Sequence, residues 1–361
     1  MIQVGVLGAS GYVGAELLRL LAGHPHFKVV YAGADSAAGQ QIAQLYPNLT
    51  GDYAGWQFSE MSPDGSSSQT LPTELHNLEL LFLALPHGVS QKILPDLLLD
   101  TLLPDALPPD TLPPDAKIID LAADFRLKSP DVFKQWYGQE HGCPQYLEEF
   151  SYGLPELFKD QFTHKIAAPG CYPTAAALAL APLVKAGLVA TQGVIVDAAS
   201  GVSGAGRALA HNTAFCTVDE NFTAYGLCQH RHTPEMEQAI GAQILFTPHL
   251  APMNRGILAT CYAQPATGAT LSTDKLLDCL SSAYQTAPFI TVTQDSPSTK
   301  ATYGSNAAHL TARFDERTGT AIAICALDNL GKGAAGQAIQ CANIICGLPE
   351  ESGLSAAGVY P

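Results

Sequence analysis

Residues 2–25 read IQVGVLGASGYVGAELLRLLAGHP. A short apolar run ends in glycine, which is the signature of a buried strand. The text that follows places Leu17, Leu18 and Leu21 at helical spacing and stops at Gly23 and Pro25. Between the two lies Gly8-Ala9-Ser10-Gly11-Tyr12-Val13-Gly14, a tight turn of the GxxGxxG type. Glycines there permit close backbone approach, and the following helix offers unpaired N–H groups to a pyrophosphate. FKVVYAG (27–33), NLELLFLAL (77–85) and KIIDLA (117–122) read as further strands with short connections. Strand, helix and strand in this order predict a doubly wound parallel sheet. After residue 171 the texture changes. An apolar helix (175–187) is followed by VIVDAAS, QILFTPHLAP, GILATCYAQ, HLTARFDE and TAIAICALDN, the strands of a second, largely antiparallel sheet. GKGAAGQAIQCANIICG near the end reads as helix.

A chain of 361 residues suffices for two domains with full cores. Hydrophobic residues make up 47% and charged residues 14%, which excludes global disorder. The formal charge of −15 argues against nucleic acid as a partner. Any anionic substrate must be held by local donors. The start has no basic region before an apolar one, and no apolar run reaches the ~18 residues of a membrane helix, so neither export nor a membrane is expected. Nine scattered cysteines without a CxxC pair point away from a disulfide framework or a zinc site and toward a reducing, cytoplasmic setting. Residues 104–114 carry a proline-rich near-repeat, and 59–73 are similarly loop-like; neither is assigned chemistry.

Three further motifs bear on chemistry. Ala168-Pro169-Gly170-Cys171-Tyr172-Pro173-Thr174 opens a helix, with Pro173 in the first turn where its missing N–H costs nothing. Cys171 then sits at the positive end of a macrodipole, which favours thiolate. Cys325, Cys341 and Cys346 lie in apolar text and read as structural. Ser200-Gly201-Val202-Ser203-Gly204-Ala205-Gly206-Arg207 follows a strand and is a candidate anion cradle of backbone N–H groups ending in a guanidinium. In His230-Arg231-His232-Thr233-Pro234-Glu235, a neutral imidazole at a helix start suits proton exchange near pH 7, by His232 or His230. Arg126, Arg207, Arg231 and Arg255 are the cations available for a carboxylate or phosphate, unranked. Asp35, about 20 residues beyond the glycine turn, leans toward NAD, whereas Ser36 suits a 2′-phosphate.

Taken together, GASGYVGAELL, DFRL, YGLPEL, APGCYPTAAALAL, SGVSGAGR, HRHTPE, FTPHLAPMNRGILAT and DNLGKGAAGQAIQCAN resemble the N-acetyl-gamma-glutamyl-phosphate reductase family, relatives of aspartate-semialdehyde dehydrogenase. The matches run in family order over nearly the whole chain. The resemblance implies a Rossmann-like doubly wound NADP-binding domain over 1–170 with the C-terminal helix 332–361. It also implies an α+β catalytic and dimerisation domain over 171–331. It implies NADPH-dependent reduction of N-acetyl-glutamyl 5-phosphate to the 5-semialdehyde through a cysteine thioester, in arginine biosynthesis. It puts the nucleophile on Cys171 and the acid/base on HRHTPE, with His232 preferred. The dinucleotide contacts fall on Gly8, Ser10, Gly11, Tyr12 and Val13, with Ser36 for the 2′-phosphate; Ser203, Gly204 and Asn329 complete the cofactor set. Arg126, Arg207, Arg231 and Arg255 are the substrate-binding candidates, and a homodimer or homotetramer is expected. Two departures stand out: Ala122 where relatives commonly carry Ser, and the 104–114 insertion. The competing readings are an aspartyl-phosphate-type semialdehyde dehydrogenase, a dinucleotide-binding regulator without catalysis, and a thiol hydrolase. HRHTPE and PGCYPTA disfavour the first, the intact Cys171, His232 and Arg207 the second, and the glycine turn the third.

Overall fold

Strand β1 (Ile2–Leu7) is buried from Val4 onward, and its apolar run is what a strand enclosed on both faces requires. In the computed structural model, which describes residues 1–61, 75, 77–98 and 112–360, it is joined in one sheet by β2 (Phe27–Ala34), β3 (Ser59–Glu60), β4 (Leu80–Leu83), β5 (Lys117–Asp120), β6 (Phe150–Tyr152) and β7 (Lys165–Ala167). All pairings are parallel and the order is β3-β2-β1-β4-β5-β7-β6. The chain order reverses at β1, between β2 and β4. The crevice beyond the carboxyl ends of these strands is therefore the topological switch point, where ligands bind in such sheets. The unit comprises Met1–Pro130, Glu140–Ala168 and Gln337–Leu354.

Within it, the strand expected over 77–85 is confined to Leu80–Leu83; Ala84 N–H still donates to the Leu7 carbonyl at 2.8 Å, and the ladder ends before Pro86, which has no N–H to give. Ser59 and Glu60, expected in a loop, instead pair with Gly33 and Ala34 of β2. The proline-rich stretch falls outside the described residues up to 111, as do 62–73 of the polar segment. The final helix, Gly336–Ile345, contributes to this unit: Gln337 donates to the Gly153 carbonyl at 2.7 Å, and Asn343 Oδ1 accepts from His24 Nε2 at 3.0 Å.

The second unit spans Asp131–Gln139, Pro169–Gly336 and Ser355–Pro361. Its sheet contains β8 (Val194–Gly201), β9 (Thr223–Ala224), β10 (Ile244–Ala251), β11 (Ile257–Ala263), β12 (Ile290–Val292), β13 (Ala308–Asp315) and β14 (Thr320–Leu327), in the order β12-β13-β14-β11-β8-β10-β9. Antiparallel pairings dominate, with parallel ones at β12–β13 and β8–β10. Period-two burial (Val194, Val196 and Ala198 inward; Ile195 outward) covers one face. Helices Cys171–Lys185 and Thr273–Ala283 pack on the sheet. The first is buried from Tyr172 to Leu183, as its unbroken apolar text demands. Pro182 lies inside that helix and removes the N–H that would bond the Leu178 carbonyl. The hydroxyl of Tyr284 donates to that carbonyl at 2.7 Å and repairs the gap. Residues 331–335, expected to be α-helical, form one π turn before the α-helix begins at Gly336.

Among the described residues, no helix is long and apolar enough to cross a membrane.

Candidate active site

Cys171 is the first residue of its helix and Gly170 is the N-cap, in extended conformation with no side chain to cap with. The first-turn N–H groups there lack intrahelical partners and favour negative charge on a group beside them. Cys171 is half-buried. Other thiols are pushed up by burial. Burial, reinforced by Asp124 and Asp120, pushes Cys143 up to about 12, and burial pushes Cys346 up to about 11. Cys261 and Cys279 shift the same way for the same reason. Thiols held protonated in this way are inert at neutral pH.

His232 is the N-cap of the helix Thr233–Ile240, which Pro234 in the first turn helps to start. A Cβ built on Gly170 would lie 2.4 Å from Nε2 of His232, so glycine is what lets the imidazole reach the backbone beside Cys171. Glu235, one turn further along, is 1% exposed, and its Oε1 accepts the Gly170 N–H at 2.8 Å.

His230 has a different role. Its Nδ1 accepts the backbone N–H of His232 at 3.2 Å, and its ring stands edge-on among Tyr172, Tyr225 and Phe246, with centroids 5.7, 5.6 and 5.1 Å away. Burial, with the Arg231 charge beside it, lowers it to about 4. His230 is thus a neutral imidazole that fixes the His232 backbone, and it does not change charge near pH 7. The phenol of Tyr225 donates to that of Tyr172 at 3.2 Å, and Tyr172 donates to the His249 carbonyl at 3.0 Å.

On another side of Cys171 lies the π turn. A Cβ on Gly333 would come within 2.8 Å of the Cys171 Cβ. That turn is pinned by Asp328, fully buried, whose Oδ1 accepts the N–H groups of Leu330 and Gly331, each at 2.9 Å. Asp328 Oδ2 accepts Gly304 N–H at 2.6 Å, and the carboxylate takes Arg255 side-on through Nε and Nη2. Asn329 is similarly committed: its Oδ1 accepts Gly256 N–H at 2.7 Å and its Nδ2 donates to Ser203 Oγ at 2.9 Å.

The cradle expected at 200–207 is reduced. The N–H groups of Gly201, Val202 and Ser203 donate to the carbonyls of Gly256, Met253 and Asn254. They close the loop on the neighbouring turn and are not open to an anion. Gly204 is exposed, and a Cβ there would sit 2.9 Å from Ser200 Oγ.

Nor are the four arginines equivalent. Arg126 is buried, with Nε on the Ala168 carbonyl and Nη2 on the Leu121 carbonyl, both at 2.8 Å. Arg255 neutralises Asp328. Arg231 is exposed and stacks over the Tyr137 ring at 5.2 Å. Arg207 is half-buried, and its buried Nε meets no hydrogen-bond partner among the described residues.

In the first unit, the residues of the glycine turn fit a dinucleotide. Gly8 has φ +79°, and a Cβ there would meet the Ala84 carbonyl at 2.2 Å; one on Gly14 would meet the Gly8 carbonyl at 2.3 Å. Those glycines serve the turn itself. Gly11, the N-cap of helix Tyr12–Ala22, has no such constraint. Its nearest neighbour would be 3.5 Å from a Cβ, and its φ of −78° suits any residue. The space above it is what a pyrophosphate on the helix N-terminus needs. Ser10 is buried with its carbonyl held by the Tyr46 hydroxyl at 2.7 Å, Val13 is half-buried, and Tyr12 is exposed. Ser36 and Asp35 are exposed just beyond β2. Tyr46 carries no motif that would have marked it in the sequence, and Glu235 stood there only as part of the helix-start text.

Comparison with known proteins agrees with this layout. Residues 3–165 match the family model described as semialdehyde dehydrogenase, NAD binding domain, and 171–329 match semialdehyde dehydrogenase, dimerisation domain. The chain is 43% identical to the N-acetyl-gamma-glutamyl-phosphate reductase of Symbiobacterium thermophilum, covering 100% of this chain and 99% of that one. It is 40% identical to the protein of that name from Acetivibrio thermocellus, with 100% of both covered. Among solved structures, aspartate semialdehyde dehydrogenase II of Vibrio cholerae, complexed with ASA, superposes with a TM-score of 0.67 at 15% identity, over 96% of this chain and 98% of that one. Aspartate semialdehyde dehydrogenase with NADP from Candida albicans gives 0.63 at 17%, over 96% and 98%. These two show the fold. On full-length identity, the chain belongs to the N-acetyl-gamma-glutamyl-phosphate reductase family.

Proposed function

We propose that this protein reversibly reduces N-acetyl-L-glutamyl 5-phosphate to N-acetyl-L-glutamate 5-semialdehyde and phosphate, with NADPH, in arginine biosynthesis. The observation that carries the reading is the pairing of Cys171, at a helix N-terminus, with His232, whose Nε2 edge packs on Gly170. The Cys171 Sγ attacks the acyl carbon; the S–C bond forms as the C–O bond to phosphate breaks, and phosphate leaves without needing a proton. The bound nicotinamide supplies the hydride that takes the acyl carbon to the aldehyde level. His232 Nε2 holds the proton toward the carbonyl oxygen as charge develops there, and any proton it passes returns to the imidazole as the C–S bond breaks to release aldehyde and thiolate. His230, neutral and accepting from the His232 N–H, supports assigning this role to His232.

Arg207 takes the anionic end of the substrate, with the exposed Arg231 second; Arg126 and Arg255 keep structural duties. NADP is assigned over NAD, with Ser36 meeting the 2′-phosphate, Gly8, Ser10, Gly11, Tyr12 and Val13 the pyrophosphate side, and Ser203, Gly204 and Asn329 completing the set. The NADP-binding domain is 1–170 with 332–361, apart from 131–139 and 355–361, which group with the catalytic and dimerisation domain, 171–331. A homodimer forms through the open face of the second sheet, where Leu245 is 54% exposed beside Ile195 at 37%. The enzyme works in the cytoplasm.

The test is phosphate-dependent reduction of NADP by N-acetyl-glutamate semialdehyde, run beside aspartate semialdehyde. Cys171→Ser should lose at least ~10³-fold in turnover while still binding NADPH. Normal turnover in that variant ends the reading, and preference for the aspartate aldehyde replaces the substrate.

A further inference from the structure

Helices often close their own start with a capping box, in which the residue at the third helical position accepts the N-cap N–H. The Cys171 helix cannot do this, because its third residue is Pro173, which has no side-chain acceptor. The N-cap N–H of Gly170 is instead accepted at 2.8 Å by Glu235, 65 residues away and 1% exposed. Thr174 completes the same turn by donating its hydroxyl and its N–H to the Gly170 carbonyl, at 3.1 and 2.9 Å. Glu235 belongs to the helix that His232 caps, and Met236 N–H bonds the His232 carbonyl at 3.0 Å. One carboxylate therefore ties the first residue before the thiol to the turn that carries the imidazole.

We propose that Glu235 is a positioning residue for the reaction: its bond to Gly170 N–H sets the register between Cys171 and His232. The proposal rests on the assignment of those two residues made above. Reach is the essential property of the side chain, since Oε1 has to span from one helix start to the other. A shorter carboxylate would fall short of Gly170 by about one C–C bond, or ~1.5 Å. A neutral amide of the same length keeps an acceptor oxygen in place. A misplacement of ~1 Å between reacting groups costs ~10²-fold in rate.

The experiment compares Glu235→Ala, Glu235→Asp and Glu235→Gln in the full chain. Steady-state kcat and KM are measured with the semialdehyde, together with the pH dependence of Cys171 alkylation by iodoacetamide, read by mass spectrometry. Ala and Asp are expected to lose 10- to 100-fold in kcat with KM within threefold, and Gln to recover most of that loss. The alkylation rate and its pH profile should depart from wild type in Ala and Asp, where the helix start shifts, and depart much less in Gln. If Ala fails to fold, the Asp and Gln pair decides by itself. Equal losses in Asp and Gln, or an Asp better than Gln, overturn the proposal, as does a normal kcat in Ala. Alkylation reads the tie without any substrate. An alkylation pattern as expected in a protein inactive on the semialdehyde would therefore reject the proposed reaction and keep the positioning role.

Discussion

Gly170 and His232 are in such close register that a single methyl at position 170 would fall 2.4 Å from Nε2 of the imidazole. No real Cβ contact is that short, so one of the two must move. The backbone at Gly170 is extended, at φ −67° and ψ 153°, which any residue adopts. The constraint on this glycine is therefore the neighbouring ring and not the torsion. Gly170→Ala should fold, with an overpacking cost of about 1–3 kcal/mol. Its kcat should drop by roughly 10²-fold, because the displaced group is the imidazole itself. Stopped-flow turnover beside a urea unfolding curve checks both halves, and an unimpaired kcat would remove His232 from the chemistry.

The glycine turn gives a second prediction through its internal contrast. Gly8→Ala would drive a Cβ to 2.2 Å from the Ala84 carbonyl at φ +79°, so this variant should lose stability or fail to fold. Gly11→Ala meets nothing closer than 3.5 Å and should melt like the wild type. Its methyl would nonetheless stand where a pyrophosphate must approach the helix start, so NADPH affinity should weaken by ~10-fold or more. Fluorescence titration with NADPH is the measurement. Unchanged affinity in a folded Gly11→Ala protein would move the dinucleotide elsewhere.

A third prediction concerns pH. Asp120 ends β5 in full burial, and its Oδ1 accepts from Ser90 Oγ at 2.7 Å and Ala122 N–H at 3.1 Å. Its Oδ2 has no hydrogen-bond partner among the described residues. Burial, with the Asp124 charge nearby, raises it to about 7 from an ordinary 3.8. The folded protein therefore binds a proton that the unfolded chain has released. The stability this contributes is fully present below pH 3.8 and is lost as pH rises through 7. Asp120→Asn cannot ionise, so its urea midpoint relative to wild type should improve between pH 5 and pH 8. A difference that stays flat over that interval would show that Asp120 does not titrate in the folded protein.

Much of this was legible in the sequence, for local reasons. The opening strand–turn–helix is one continuous segment, and so is the Pro-Gly-Cys-Tyr-Pro start of the Cys171 helix; both positions follow from adjacent residues. The short strands Ser59–Glu60, Thr223–Ala224 and Ile290–Val292 were not legible, because two or three residues cannot display a period. The arginines stayed unranked for a different reason. What distinguishes Arg255 is Asp328, 73 positions away, and what distinguishes Arg126 is the Ala168 carbonyl, 42 away. What distinguishes His230 from His232 is a backbone bond over two residues that the sequence HRH contains but does not announce. Glu235 was read only as part of a helix-start signature, since its partner lies on a different helix.

The shared cap at Gly170 also bears on the order of events during synthesis. Its two halves are 65 residues apart, so a ribosome that has made Cys171 must go on to residue 235 before the cap can close. Through that interval the helix start lacks its external acceptor and His232 has no fixed place beside it. The cap that joins the two helix starts is therefore a property of the folded unit and not of the growing chain.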